Sequence, residues 1–263
     1  MTVTIAVAGK GGTGKTTLSG LLIRYLVEHR AGKVLAIDAD PSSNLHLVLG
    51  LPLSQTVGDI REEARGGVQP GMSRQDWLSY TVRMAVEEGA DFDLLAMGRP
   101  EGQGCYCAAN HMLRNIMDGI NSGYDFVVMD NEAGMEHLSR RTTRDVDYLL
   151  LVSDASLRGL VAAEAMVALT KELEVNVLHS YLVINRVMGD LPAPLQGKVR
   201  EIGIPLLATL PYDSLLVEFD SQGRPLVELP PDAPISRAVA DVAARLVGNG
   251  DLGRRKPSGQ EGE

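Results

Sequence analysis

Cysteine is nearly absent from this chain of 263 residues, with Cys105 and Cys107 the only two. So sparse a set is no disulfide framework. No run reaches the ~18 apolar residues that a spanning helix needs, which argues against stable membrane insertion. The N-terminal stretch shows no basic segment followed by a cleavable apolar run, so no secretory signal is read and a cytoplasmic location is expected. Positive charge is also scarce. There are 25 Lys and Arg against 34 Asp and Glu, giving a net charge of −9 and a pI near 5.1. That balance argues against a non-specific binder of nucleic acid or anionic membrane. Internal repeats are missing. What remains is 44% hydrophobic and 22% charged, ample for a core. The length suits one α/β domain or two small ones.

What is present is concentrated at the start. Thr2 to Ala8 (T-V-T-I-A-V-A) is a β-branched apolar run. Gly9-Lys10-Gly11-Gly12-Thr13-Gly14-Lys15-Thr16-Thr17 follows, a match to G-x-x-x-x-G-K-[ST] between a strand and a helix. The residue types have physical reasons. Gly9, Gly11, Gly12 and Gly14 let the backbone take positive φ and turn its N–H groups inward. The helix starting near Thr16 adds its positive end. Lys15 can reach the β- and γ-phosphates of ATP, and the Thr16 hydroxyl can ligate Mg²⁺. Residues Gly11 to Thr17 are thus the candidate phosphate cradle.

Strands and helices then alternate. Leu18 to His29 carries apolar residues at helical spacing, with Gly32 as a stop. Lys33 to Asp38 is an apolar strand ending in acid, and the resulting βαβ unit makes its two strands parallel. Asp38-Ala39-Asp40-Pro41-Ser42-Ser43-Asn44 follows. Carboxylates at such a strand end sit beside a phosphate loop, where they bind the waters of Mg²⁺ or orient an attacking water. The same residues also suit a plain turn. Residues 45–65 are broken by Gly50, Pro52 and Gly58, with a short helix expected over Asp59 to Ala64. A helix is expected from Ser73 to Glu88, a strand over Asp93 to Met97, and a helix from Ala108 to Ile120. Tyr124 to Asp130 is a strand whose last acid, Asp130, occupies the place of a Walker B aspartate. Asp147 to Ser153 (strand), Leu157 to Leu173 (helix), Ser180 to Asn185 and Pro205 to Leu210 (strands) and Ile235 to Val247 (helix) complete the pattern. The expected fold is one doubly wound α/β domain over residues 1–248 with a mainly parallel sheet. Residues 249–263 read as a disordered tail without an apolar face. In such a sheet the polar residues closing the last two strands, Asn185-Arg186 and Pro211-Tyr212-Asp213, face the base.

Cys105 and Cys107 are the soft ligands of the chain. In extended backbone, residues two apart face one side, so both sulfurs can meet one metal. A single Cys-x-Cys fills half of a tetrahedral thiolate site, and a two-fold dimer closes it. Incidental thiols, or a redox pair, are the other readings of the motif.

The second lysine in G-K-G-G-T-G-K-T-T marks a resemblance to the deviant Walker A ATPases, the class of nitrogenase iron protein, ParA and MinD. That resemblance implies that Lys10 reaches across a dimer to the partner's nucleotide. It maps the hydrolytic aspartate of D-P-x-x-N onto Asp40, with Asp38 as a supporting acid near the metal. It gives Asn185 a hydrogen bond to adenine, with the backbone at Pro211 to Asp213 framing the ring. The apolar-faced C-terminal helix by which MinD targets membranes has no counterpart here. Gly104-Cys105-Tyr106-Cys107-Ala108, together with Ala133-Gly134-Met135-Glu136-His137-Leu138, resembles the CooC subfamily, which assists nickel insertion into carbon monoxide dehydrogenase. The likeness runs from the phosphate loop through Asp213. It implies a homodimer in which Cys105 and Cys107 of both subunits bind one Ni²⁺ or Zn²⁺, with carbon monoxide dehydrogenase as client. One departure stands out: where much of the class has D-T-P-A-G, this chain has Asp130-Asn131-Glu132-Ala133-Gly134. The rival functions are an iron–sulfur electron donor resembling nitrogenase iron protein and a partition or positioning ATPase.

Overall fold

The computed structural model describes residues 2–65, 85–99, 123–134, 145–172 and 176–248. Cys105, Cys107, the expected helix over 108–120, residues 135–138 of the second switch and the tail 249–263 lie outside the described residues.

Eight strands form one sheet among the described residues, in the order β3-β4-β2-β5-β1-β6-β7-β8. They are β1 (Val3–Gly9), β2 (Val34–Asp38), β3 (Glu87–Glu88), β4 (Phe92–Ala96), β5 (Phe126–Asp130), β6 (Asp145–Asp154), β7 (Asn176–Val187) and β8 (Leu206–Pro211). All pairings are parallel except β3 with β4. The helices are α1 (Lys15–Glu28), α2 (Leu45–Leu49), α3 (Val57–Arg65), α4 (Leu157–Glu172), α5 (Ala193–Ile202), α6 (Ser214–Ser221) and α7 (Pro234–Gly248). The mainly parallel, doubly wound sheet expected from the alternating pattern is the one found.

The alternation of side chains along a strand decides what each face packs against. Val3, Ile5 and Val7 of β1 point to α1 and meet Leu18, Leu22 and Leu26. Ala6 and Ala8 point the other way, where Leu149 and Leu151 of β6 and Met166 and Val167 of α4 cover them. Further along that face, Leu35, Ile37, Val127 and Met129 pack against Val57 and Ile60 of α3. α7 lays Val239, Val242 and Leu246 into the α1 side of the core. Arg24 pins α1 there, donating to the Leu229 carbonyl at 2.5 Å and to Glu28 at 2.7 Å.

β1 and β2 are parallel, as a βαβ unit requires, yet they do not touch. β5 lies between them and pairs with both. That insertion matters for the site, because it sets Asp130 beside Asp38 in register and beside Val7 just ahead of the loop. One expectation fails. Of the helix expected over Ser73 to Glu88, residues 73–84 lie outside the described residues, and its expected end is a strand instead, Glu87 and Glu88 pairing antiparallel with Leu94 and Asp93. A tight turn closed by Gly89 N donating to Phe92 O at 2.9 Å makes the edge pairing local. It outweighs the helical leaning of the Glu pair. No helix of the described residues is long and apolar enough to cross a membrane.

Candidate functional site

The loop between β1 and α1 opens at the C-terminal edge of the central strand. Its geometry hangs on one carbonyl. Lys10 O accepts from Thr13 N at 3.4 Å, from Thr13 Oγ1 at 2.8 Å and from Lys15 Nζ at 3.3 Å. Thr13 and Lys15 are buried, while Lys10, Gly11 and Gly12 are exposed. Gly14 takes φ +94° and ψ 28° at the N-cap of α1, and an added Cβ there would collide with the Asn185 amide. Only glycine suits both demands. α1 has no side-chain cap and no acidic residue in its first turn. The N–H groups at this end are therefore left for an anion, which the dipole also favours.

Two carboxylates lie side by side beneath the loop. Asp38 and Asp130 are register partners on β2 and β5, each 1% exposed. Asp38 holds the loop after β2, accepting from Asp40 N at 3.1 Å and from Leu45 N at 2.8 Å. Burial pushes its pKa up to about 7, against the lowering pull of those hydrogen bonds. Asp130 accepts from Ser19 Oγ at 3.1 Å and is also hydrogen-bonded by Thr16. Burial raises it to about 6. Burial lowers the pKa of Lys15, while the charges of Asp130, Asp40 and Glu132 oppose the shift. Asp40 is half-buried and accepts from Ser42 N at 2.8 Å.

The far side of the site is built from β7 and β8. Asn185 donates from Nδ2 to Thr13 O at 2.9 Å and accepts at Oδ1 from Arg186 N at 2.8 Å. The residue expected beside the base thus also braces the loop. Arg186 is exposed and has φ +58°. Asp213 turns inward and caps two helices, accepting from Leu215 N at 3.0 Å and Ile235 N at 3.1 Å. Pro211 is half-buried and Tyr212 exposed above it, with Tyr212 N donating to Val187 O at 3.0 Å.

Lys15, Thr16, Asp38, Asp40, Asp130 and Asn185 converge on one edge of the sheet, and Thr17 follows on α1. Ser19 joins them although no motif announces it. Ser19 lies three residues after Thr16, on the same helix face, so spacing alone could have found it. Asn131, which departs from the D-T-P-A-G of the class, is 1% exposed and donates to Val7 O at 3.0 Å.

Among the described residues, no group of three or more His, Cys, Asp or Glu side chains is arranged to hold a metal. Mg²⁺ suits such a site, because it binds through one or two carboxylates plus phosphate oxygens and waters.

Residues 4–226 match the CobQ/CobB/MinD/ParA nucleotide binding domain family. The chain belongs to that family. It is a P-loop ATPase of the MinD and ParA kind. Among its relatives is an uncharacterized ATP-binding protein of Methanocaldococcus jannaschii, 42% identical over 248 residues, covering 92% of this chain and 98% of the relative. The carbon monoxide dehydrogenase accessory protein CooC of Rhodospirillum rubrum is 31% identical over 265 residues, covering 92% and 95%. The structure of the septum site-determining protein MinD from Pyrococcus horikoshii, complexed with Mg-ADP, superposes with a TM-score of 0.72 at 23% identity, covering 97% of this chain and 100% of that one. At that identity the likeness speaks for the fold.

Proposed function

We propose that this ATPase is a nucleotide-switched homodimer that assists nickel insertion into carbon monoxide dehydrogenase, with one Ni²⁺ or Zn²⁺ bridged between its subunits. The observation that carries the reading is Cys105-Tyr106-Cys107, the chain's only thiols, in a sequence 31% identical to a carbon monoxide dehydrogenase accessory protein across nearly its whole length. Two such pairs, one per subunit, supply the four thiolates of a tetrahedral site.

Each group at the loop has a part. Gly11 to Thr17 wrap the phosphates with backbone N–H groups, and Lys15 exchanges the Lys10 carbonyl for phosphate oxygens. The uncapped start of α1 and the paired acids below it fit a magnesium nucleotide. Thr16, with Asp38 and Asp130, would hold Mg²⁺ directly or through water, and the ion would neutralise phosphate charge. Asp40 orients the attacking water. Asn185 and Arg186 with Pro211, Tyr212 and Asp213 border the adenine. Lys10, exposed at the loop tip, reaches the nucleotide of the partner and so links ATP to dimerisation. ATP and the bridging metal both favour the dimer, so each promotes the other's binding by linkage.

Light scattering and metal analysis on the same samples test this. The expected result is one metal per two chains with Cys105 and Cys107 both required, and a dimer promoted by ATP and weakened by Lys10→Ala. One metal per monomer, retained by Cys105→Ser/Cys107→Ser, overturns the reading. Nucleotide-dependent binding to DNA or liposomes without metal would establish a partition or positioning ATPase instead. A brown protein with visible absorbance would establish the iron–sulfur donor.

A further inference from the structure

Strand edges attract other strands, and this sheet guards most of its own. A row of unpaired N–H and C=O groups is a template for pairing, which proteins blunt with charge, bulges and short edge strands. β3, at one edge, is two residues long, and both are glutamates. β8, at the other, shifts register against β7 between Leu182 and Val183, and Arg245 Nη1 donates to its Leu207 O at 2.9 Å.

One stretch lacks these devices. β7 pairs with β6 from Asn176 on, but its pairing with β8 begins at Leu182. Residues 176–181 therefore have a neighbouring strand on one side only, among the described residues. Pro205 is the reason. Leu182 N donates to Pro205 O at 2.9 Å. The next bond down the ladder would need the N–H of residue 205 to reach Ser180 O, and proline has none. Alternate residues of a strand turn their backbone groups to the same side, so Leu178 and Ser180 direct theirs as Leu182 does, to the open edge. Leu178 is 51% exposed. The overhang is also stiff. His179 stacks on Tyr148 of β6 at 5.4 Å between centroids and lies 6.4 Å from Tyr181. A strand already ordered by β6 loses little freedom when another strand joins it.

We propose that a second copy of this chain adds to this edge, the two β7 overhangs pairing antiparallel about a two-fold axis at Leu178. The overhang matches itself. Its outward groups fall on residues 178 and 180, so centring on Leu178 sets each Leu178 opposite its own copy as a hydrogen-bonded pair that exchanges two N–H···O bonds. The two exposed leucines then cover each other, and Ser180 faces the partner's Asn176. Centring on His179 instead would drive the partner's Asn176 against Leu182, whose edge is already taken by Pro205. Charge points the same way. The chain carries −9 overall, yet Asn176 to Tyr181 (N-V-L-H-S-Y) has no Asp, Glu, Lys or Arg. Two copies can meet here without setting like charges opposite each other, and a charged foreign strand finds nothing to pair with. The contact is short, so it is a weak one. It lies at the far end of β7 from Asn185 and the phosphate loop. It uses neither nucleotide nor cysteine, and so stands or falls apart from the proposed function.

Sedimentation of the full chain, free of nucleotide and with EDTA present, tests this over about 10 µM to 1 mM. The mean mass should climb from the 28.2 kDa of one chain toward twice that value. Leu178→Lys puts two like charges opposite each other on the axis and should hold the mass at one chain, with the melting temperature unchanged. In a Cys105→Ser/Cys107→Ser background, Leu178→Cys should form a disulfide between chains under mild oxidation, because a hydrogen-bonded antiparallel pair has a Cα spacing of about 5.5 Å, within disulfide reach. Ser180→Cys in the same background should not, since its copies lie on opposite sides of the axis. A wild type that stays at one chain throughout overturns the proposal. Association that survives Leu178→Lys overturns it too, as does cross-linking that is equal at the two cysteine positions. Should Leu178→Lys fail to fold, the cysteine pair decides.

Discussion

Asn185→Ala separates the bracing of the phosphate loop from the proposed contact with adenine. The substitution removes the amide that donates to Thr13 O at 2.9 Å and accepts from Arg186 N at 2.8 Å. Arg186 is exposed, so water can replace the second bond. Thr13 is 1% exposed, and its carbonyl gains no such substitute. A buried acceptor stripped of its donor costs roughly 1–3 kcal/mol. That cost falls on the loop conformation that wraps phosphate. At about 1.4 kcal/mol per tenfold, phosphate affinity should drop by about 5- to 150-fold. Calorimetric titration with ATP and, separately, with tripolyphosphate tells bracing from base contact. Bracing weakens both ligands alike, whereas an adenine contact weakens ATP alone. Asn185→Asp keeps the acceptor for Arg186 N but loses the donor and adds a negative charge beside the loop. It should bind both ligands at least as poorly as the alanine variant. Unchanged tripolyphosphate affinity in both variants would show that the Asn185–Thr13 bond contributes nothing to the phosphate site.

Three further outcomes are expected. Asp40→Ala should keep ATP affinity while phosphate release slows by roughly 10²- to 10⁴-fold, the range for a lost positioned base or water-orienting group; normal turnover removes Asp40 from the mechanism. Asp213→Ala frees Leu215 N and Ile235 N and should cost about 1–3 kcal/mol, seen as a lower melting temperature with ATP affinity little changed; an unchanged melt refutes the double cap. The buried acids set a pH dependence: burial pushes Asp38 up to about 7 and Asp130 up to about 6, above the unfolded carboxyl value of about 3.9, so the folded chain holds these protons more tightly. Their contribution is therefore fullest below about pH 4 and is lost as pH rises through 6 and 7. In buffer without Mg²⁺, the melting temperature of Asp130→Asn should gain on that of the wild type between about pH 5 and 7.5. A gap that stays constant across that range would refute the shift.

The site was legible in the sequence wherever chemistry and local spacing coincide. Gly14-Lys15-Thr16 is one short stretch, and the glycine that the motif demands is the one whose φ of +94° forbids other residues. Strand ends carrying Asp38, Asp130 and Asn185 were visible as apolar runs closed by a polar residue. What stayed hidden depends on neighbours far along the chain. β5 inserts between β1 and β2, and no local pattern announces it, yet this step alone sets Asp38 and Asp130 side by side. Asp38 is the clearest case. Read as an acid near the metal, it also spends both oxygens on the backbone of residues 40 and 45. Ser42 and Ser43 read as ordinary turn residues, and only the approach of β4 gives Ser43 its second partner at Gly98. α2, with five residues, and α6, with eight, are too short for helical periodicity to show. α6 is announced instead by its cap, Asp213, whose side chain holds two helix starts while its backbone is the part expected beside the base. The same polar residue types serve caps, turns and ligands, and only the long-range pairing of strands distributes those roles.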